Sequence, residues 1–274
     1  MRRISRGGGG WGGGYGYRFD ISEYFPSAIK TLCLICVAVF LLQELSRFVF
    51  GVAGWNFWLV YFGVSPYAVF KGVSIFGLPI PAFWQPLTYL FLHSGILHIL
   101  FNLLYLAMFG ADLEHMWGAK KFYTYFFLCG IGAGLIDLAV RTALDPHMQH
   151  LALIPTIGAS GAIYGVLLAA AVIMPHRQVW VFPLPVTISM RLFVIVMGAI
   201  EFFLTLGATG DGVSHFCHLG GMLVGYLYLR RGSHLYNFRN YFSDWKRRRL
   251  KKKFDVYVRE HRDKPPSRPD NWVN

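Results

Sequence analysis

Residues 154 to 165 read IPTIGASGAIYG, and they place one serine, Ser160, among glycines and alanines with apolar sequence on both sides. In water such a stretch would form a tight turn that enters a helix, so its structural interpretation depends on the surrounding solvent. The composition identifies that solvent, because 55% of the 274 residues are hydrophobic, only 15% are charged and the mean hydropathy is +0.43. This balance is far more apolar than that of a soluble domain. The chain is therefore predicted to be a polytopic membrane protein.

Six apolar stretches are candidates for transmembrane helices, since about 20 apolar residues are needed to cross roughly 30 Å of hydrocarbon. They are residues 29–50, 93–113, 120–140, 160–174, 191–207 and 213–230. The predicted fold is thus an all-α bundle of six transmembrane helices over residues 29–230. A glycine-rich, basic N-terminus (1–28) precedes the bundle and is expected to be disordered, and a basic C-terminal tail (231–274) follows it. Residues 51–92, rich in aromatics and prolines, are expected to lie in the outer membrane interface.

The positive charges predict the orientation of the bundle. An even number of spans puts both termini on one side, and 23 of the 26 Lys and Arg residues fall on that side. Both termini are therefore expected in the cytoplasm, and the membrane is expected to be a bacterial inner membrane. The net charge of +12 follows from this topology, so no nucleic-acid partner is predicted. The basic run DWKRRRLKKKF (244–254) is expected to attract anionic lipid head groups.

Polar side chains from three of the predicted helices fall in one layer near the outer surface. The even-numbered helices run from outside to inside, so their first residues lie in the outer leaflet. The layer comprises His93, His98 and Asn102 of the second helix, Ser160 of the fourth, and His215 and His218 of the sixth. Polar groups within hydrocarbon are costly and normally face the interior of a bundle. The layer therefore predicts a functional site.

Glycines indicate which two helices of this layer touch. Small residues four apart let helix backbones approach closely in a membrane. Such pairs follow both the serine and the last histidine: Gly161 and Gly165, and Gly221 and Gly225. A glycine-lined contact between the fourth and sixth helices would bring Ser160 close to His218.

The fourth helix also fixes the depth of the serine. It has about 15 residues before Pro175, or roughly 22 Å, which is too short to cross the membrane unaided. Ser160 is therefore expected below the outer surface, at a helix N-terminus where unpaired N–H groups favour developing negative charge.

These residue types indicate acyl-transfer chemistry. Serine becomes a nucleophile when a base within hydrogen-bond reach takes its proton, and His218 can be that base. His98, Asn102 and the backbone N–H of Ser160 are candidate donors to the oxyanion. No acidic third member is visible in this layer, so the sequence predicts a Ser–His dyad, with Tyr164 packed on the imidazole of His218.

At these residues the sequence resembles the rhomboid family of intramembrane serine proteases. The resemblance is carried by HSGILHILFN (93–102), GADLEHMWG (110–118), GASGAIYG (158–165) and HLGGMLVG (218–225). It implies Ser160 as nucleophile, His218 as base, His98 and Asn102 as oxyanion donors, and His93 as their support. It also implies a motif role for Gly158 beside the serine and a structural role for Glu114 in the loop that follows the second helix. Transmembrane proteins would be the substrates, without metal or cofactor.

Two other functions stay open at this point. A catalytically silent relative would bind membrane clients, although such relatives usually lack the serine or the histidine. A channel or transporter would use the intramembrane histidines and Glu201, which lies in the fifth predicted helix, as a proton path. Glu201 has no assigned role: it is either a hydrogen-bonded core carboxyl or part of the route by which substrate enters.

Overall fold

The structure, a computed structural model, describes residues 25–181, 186–207 and 214–231. The helices are α1 (Ser27–Phe50), α2 (Val52–Phe62), α3 (Pro66–Phe70), α4 (Gln85–Thr88), α5 (Ile96–Trp117), α6 (Ala119–Leu144), α7 (Ser160–Ile173), α8 (Met190–Leu206) and α9 (215–231). Two short antiparallel hairpins pair β1 (Val73–Ile75) with β2 (Leu78–Ile80) and β3 (Gln178–Trp180) with β4 (Thr187–Ser189). The predicted N-terminal segment and basic tail lie almost wholly outside the described ranges.

Each of the six stretches predicted as spans is helical over most of its length within the described residues. Within the described ranges, three helical segments are long and apolar enough to cross a membrane by length and composition: Ser27–Phe62, which joins α1 and α2, then α5 and α6. α7 is a shorter apolar helix of 14 residues, or about 21 Å. The all-α polytopic membrane fold is confirmed, and the count of six spans stays a prediction.

The outside of the bundle is apolar, as a lipid-facing surface requires. Large hydrophobic side chains stand exposed on α1, α5 and α8. They include Leu41, Phe48, Leu97, Ile195 and Phe203. In water this surface would be an aggregation liability, whereas in hydrocarbon it costs nothing.

Helix α6 packs closely against its neighbours because its small residues leave room for their side chains. A Cβ at Gly130 would lie 2.7 Å from the side chain of Leu90, and one at Gly134 would lie 2.9 Å from the ring of Tyr89. The hydroxyl of Tyr89 donates to the carbonyl of Gly130 at 2.6 Å, and that of Tyr125 donates to the carbonyl of Gly165 on α7 at 2.7 Å. Both tyrosines are fully buried, so α6 holds α7 in a fixed position.

The segment predicted as an interfacial loop, residues 51–92, is more helical than expected. Gly51, at a positive φ of 59°, bends the chain out of α1, and α2 follows at once. The side chain of Gln85 binds back to α2, since its amide nitrogen donates to the carbonyl of Val60 at 2.8 Å. This segment forms one wall of the cavity described below.

Helix ends that carry basic residues meet on one side of the bundle. Glu114, near the end of α5, accepts from the N–H of Ala28 at the start of α1 at 2.8 Å. Arg177, after α7, pairs with Asp112 near the same end of α5. Ser160 lies at the opposite end of α7, and the orientation of the bundle in the membrane stays a prediction.

Candidate active site

Ser160 is the first residue of α7, and the backbone before it is held tightly. The N–H of Gly158 donates to the carbonyl of Tyr89 at 2.8 Å. Gly158 has a positive φ of 120°, and a Cβ there would lie 2.7 Å from Nε2 of His98. Only glycine satisfies both requirements, because an L side chain disfavours this conformation and would displace the histidine ring. The motif role implied for Gly158 thus has a steric basis.

Backbone contact between α7 and α9 is as close as the glycine spacing predicts. A Cβ at Gly221 would lie 1.9 Å from the carbonyl oxygen of Gly161. One at Gly225 would lie 3.4 Å from Cα of Gly165. No side chain fits between the two helices at Gly221, so the first residue of α7 comes close to the first turn of α9.

This contact brings the predicted nucleophile and base together. Oγ of Ser160 lies 2.7 Å from Nε2 of His218, which is hydrogen-bond distance. The ring of Tyr164 stacks on the imidazole, with centroids 4.4 Å apart and planes at 12°. Tyr164 lies one turn after Ser160 on α7, so the same helix carries the serine and the surface that supports the histidine.

An acidic group lies behind the histidine, which corrects the expectation that none is present. Oε2 of Glu201 on α8 lies 3.0 Å from Nδ1 of His218 and 2.6 Å from Nδ1 of His215. Its other oxygen accepts from the hydroxyl of Tyr164. The one feature of the sequence that marked Glu201 as unusual is its position as a single carboxylate in the middle of an apolar helix. Its partners could not be predicted because they depend on the rotation of α8 against α7 and α9.

His98 presents a donor at the serine. Nδ1 of His98 accepts from the backbone N–H of Ser94 at 3.2 Å, and a backbone N–H can only donate. The ring proton therefore resides on Nε2, the nitrogen that faces Gly158 beside Ser160. Asn102 uses its amide nitrogen to donate to the carbonyl of His98 at 2.8 Å, which leaves its second N–H for another acceptor.

His93 lies next to His98 but not on α5, which begins three residues later at Ile96. The predicted second span thus starts too early, because Gly95 is extended and cannot belong to the helix. The ring of His93 packs against that of His98 with centroids 5.1 Å apart. Its backbone N–H donates to Oε1 of Gln43 on α1 at 3.1 Å, and its Nδ1 lies 3.2 Å from the carbonyl of Phe91.

Glu114 is structural, but at a different place from the predicted one. Its carboxylate accepts from the N–H groups of Ala28 and Ile29 at 2.8 and 2.9 Å and from the hydroxyl of Ser27. It thereby satisfies N–H groups that the first turn of α1 leaves unpaired. The expected position was the loop after α5, far from α1 in sequence.

A buried ion pair, which the sequence did not predict, joins the two segments that carry the serine and the histidine. Asp137 and Arg141 on α6 pair at 3.1 Å with their side chains 0% and 8% exposed. The hydroxyls of Thr156, in the loop before Ser160, and of Ser214, before α9, both donate to Asp137. This carboxylate therefore fixes the start of α9 relative to the loop that leads to the serine.

That loop has a second anchor at the end of α6. Asp145 accepts from the N–H groups of Ala152 and His150, at 3.1 and 2.8 Å, and from that of Gln149 at 3.1 Å. These bonds, that of Ala152 first, lower the pKa of the Asp145 carboxyl to about 2. The loop is thus attached to α6 through two carboxylates.

A cavity of about 620 Å³ opens onto these groups. Ser160, His218, His98 and Asn102 all line it, and most of the other lining is apolar, from α2, α5, α7 and residues 154–157. A cavity of this size and character suits an extended apolar segment of chain. Glu201, His215 and His218 could also hold a metal ion, since their ligand atoms lie within 4.8 Å of one another. The expectation of no metal or cofactor stays a prediction.

Comparison with known proteins supplies an independent finding. A family model described as the Rhomboid domain matches residues 81–233. Rhomboid protein 1, mitochondrial, of Saccharomyces cerevisiae is 29% identical over 211 residues, which cover 75% of this chain and 54% of the yeast protein. Rhomboid-like protease 3 of Toxoplasma gondii is 34% identical over 147 residues, or 52% of this chain and 49% of the relative.

Rhomboid protease GluP of Bacillus subtilis is 29% identical over 144 residues, which cover 52% of this chain and 25% of that protein. The chain spans about half the length of the first two relatives and less of the third. These relatives come from a bacterium and from eukaryotes, and one is named as mitochondrial. They support an integral membrane protein, but they do not support the expected bacterial inner membrane over any other.

Proposed function

The chain belongs to the rhomboid family, and we propose that it is an intramembrane serine protease that hydrolyses peptide bonds in or near transmembrane segments of other membrane proteins. The observation that carries this proposal is the 2.7 Å contact between Oγ of Ser160 and Nε2 of His218 at the wall of an apolar cavity. The names of two relatives, which describe them as rhomboid proteases, agree with it.

The proposed reaction has two halves. Oγ of Ser160 attacks the carbonyl carbon of the scissile bond while its proton passes to Nε2 of His218. The C–N bond then breaks, and His218 returns that proton to the leaving amine, which gives an ester between Ser160 and the substrate. In the second half, His218 takes a proton from water, the hydroxide attacks the ester, and Ser160 is released with its proton.

Negative charge on the carbonyl oxygen needs fixed donors in both halves. Nε2–H of His98 and the second amide N–H of Asn102 are the proposed side-chain donors, since both residues line the cavity beside Ser160. The backbone N–H of Ser160 lies in the first turn of α7 and is a third donor. Donors held before the reaction stabilise the developing charge without reorganisation.

The substrate must be extended at the serine, because a helix hides its carbonyls in its own hydrogen bonds. Transmembrane segments with Gly or Ala near their outer end are therefore the proposed substrates, since they unwind at lower cost.

The chain would work with both termini in the cytoplasm and Ser160 in the outer half of the membrane. The basic tail would lie against anionic lipid.

A fluorophosphonate probe separates this function from its two alternatives. The probe reacts with an activated serine, whose Oγ bonds to phosphorus as fluoride leaves. We expect the folded protein in detergent to be labelled and the Ser160→Ala variant to stay unlabelled. A client-binding relative or a channel would give no label in either protein, and that result would contradict the proposal.

A further inference from the structure

Glu201 is a carboxylate in an unfavourable environment. It lies in the middle of α8, a helix of 17 residues that is otherwise apolar apart from Arg191 and Thr205, and only 6% of it is exposed. An ionised carboxyl among apolar side chains is costly unless donors surround it. A position of this kind calls for a specific partner.

Both oxygens of Glu201 have partners, and those partners belong to the active site. Oε1 accepts from the hydroxyl of Tyr164 on α7, the tyrosine that stacks on His218. Oε2 faces Nδ1 of His218 at 3.0 Å and Nδ1 of His215 at 2.6 Å, both on α9. A carboxylate that served only to pack α8 would not need to meet the edge of the catalytic imidazole.

The two ring nitrogens of His218 face different groups, and this difference favours one tautomer. A carboxylate accepts only, so the 3.0 Å ion-pair contact with Oε2 of Glu201 favours the proton on Nδ1, although the two atoms are not aligned as a hydrogen bond. Nε2 is then free of hydrogen and accepts from the hydroxyl of Ser160 at 2.7 Å. This is the tautomer that a general base needs. Without an acceptor at Nδ1 the proton could reside on Nε2, where it would block proton transfer from the serine.

We propose that Glu201 is the positioning carboxylate of His218, so that the site works as a Ser160–His218–Glu201 triad. Glu201 holds Nδ1 protonated before the reaction and stabilises the imidazolium after the serine proton has moved to Nε2. Tyr164 supports both members, because its hydroxyl binds Glu201 and its ring stacks on His218. This inference rests on the proposed function.

The test replaces Glu201 by Gln, which keeps the size and an acceptor but removes the charge. We expect kcat on a single-span reporter in liposomes to fall by about 10²- to 10⁴-fold, as for the removal of a triad carboxylate. KM should stay unchanged, because the residue does not line the cavity, and fluorophosphonate labelling should slow in parallel. The matched control is Glu44→Gln, the same substitution on α1. Glu44 pairs with Arg47 at 4.0 Å, outside the site. The kcat of this variant should equal that of the wild type.

A second variant covers the case in which Glu201→Gln does not fold. Tyr164→Phe keeps the stacked ring and removes only the hydroxyl that binds Oε1 of Glu201, so kcat should fall with KM unchanged, though less than for Glu201→Gln. Wild-type kcat in whichever variant folds would overturn the triad. Loss of activity with EDTA, restored by zinc, would also overturn it, because Glu201 would then be a metal ligand. The protease assignment is judged separately by Ser160→Ala: if that variant still cuts the reporter, the proposed function fails.

Discussion

A chain with Ala in place of His218 is expected to lose proteolysis while it stays folded. The substitution removes the group proposed to take the proton of Ser160, and a serine without a base is a poor nucleophile. Loss of a base in a serine protease site costs up to about 10⁶-fold in kcat, so cleavage of a reporter should be undetectable. The imidazole stacks on Tyr164 but does not hold α7 against α9, since the glycine contact does. Thermal unfolding should therefore change little.

The comparison for this variant is Asn102→Ala. It removes one proposed oxyanion donor and leaves His98 with its Nε2–H. Loss of one such donor costs about 10²- to 10³-fold in kcat, so cleavage should be slow but measurable. If His218→Ala were no slower than Asn102→Ala, His218 would not be the base.

The second large effect is expected at Gly221, which lies one turn after His218 on α9 and has no side chain that could react. A Cβ there would lie 1.9 Å from the backbone oxygen of Gly161, so Gly221→Ala must push α9 away from α7. Overpacking of this kind costs about 1 to 3 kcal/mol of stability. Because a misplacement of 1 Å can cost about 10²-fold in rate, kcat should fall by at least about that factor as the contact between Ser160 and His218 opens.

Gly198→Ala is the control for this substitution. Gly198 lies on α8, and among the described residues a Cβ there would meet only the flexible side chain of Met222, at 3.4 Å. Its kcat and unfolding temperature should be close to those of the wild type. Wild-type kcat in Gly221→Ala would contradict the claim that the glycine contact sets the distance between serine and histidine.

The sequence predicts the pairing of Ser160 with His218 because the information is local. Each residue lies beside glycines at four-residue spacing, and that pattern is readable without knowing where the other helices go. The depth of Ser160 follows from the length of a single helix, α7, in the same way. The closeness of His98 to the serine is less direct, since it depends on Gly158 having no side chain.

Contacts between helices with no such pattern could not be predicted. Glu201 meets His218 because α8 presents one face to α9, and nothing in the spacing of α8 marks that face. The bond from Glu114 to the first turn of α1 spans 86 residues of sequence. Asp137 and Arg141 could be paired from their four-residue separation, but their links to Thr156 and Ser214 depend on how three segments pack.

The activity proposed for Ser160 is the cleavage of transmembrane substrates. Its most direct test is a single-span reporter reconstituted in liposomes with wild-type protein or with Ser160→Ala, with the products mapped by mass spectrometry. We expect the wild type to cut a reporter with Gly-Ala at its outer boundary, to cut a Leu-Leu version more slowly, and Ser160→Ala to cut neither. Cleavage of the reporter by Ser160→Ala at the wild-type rate would show that Ser160 is not the nucleophile.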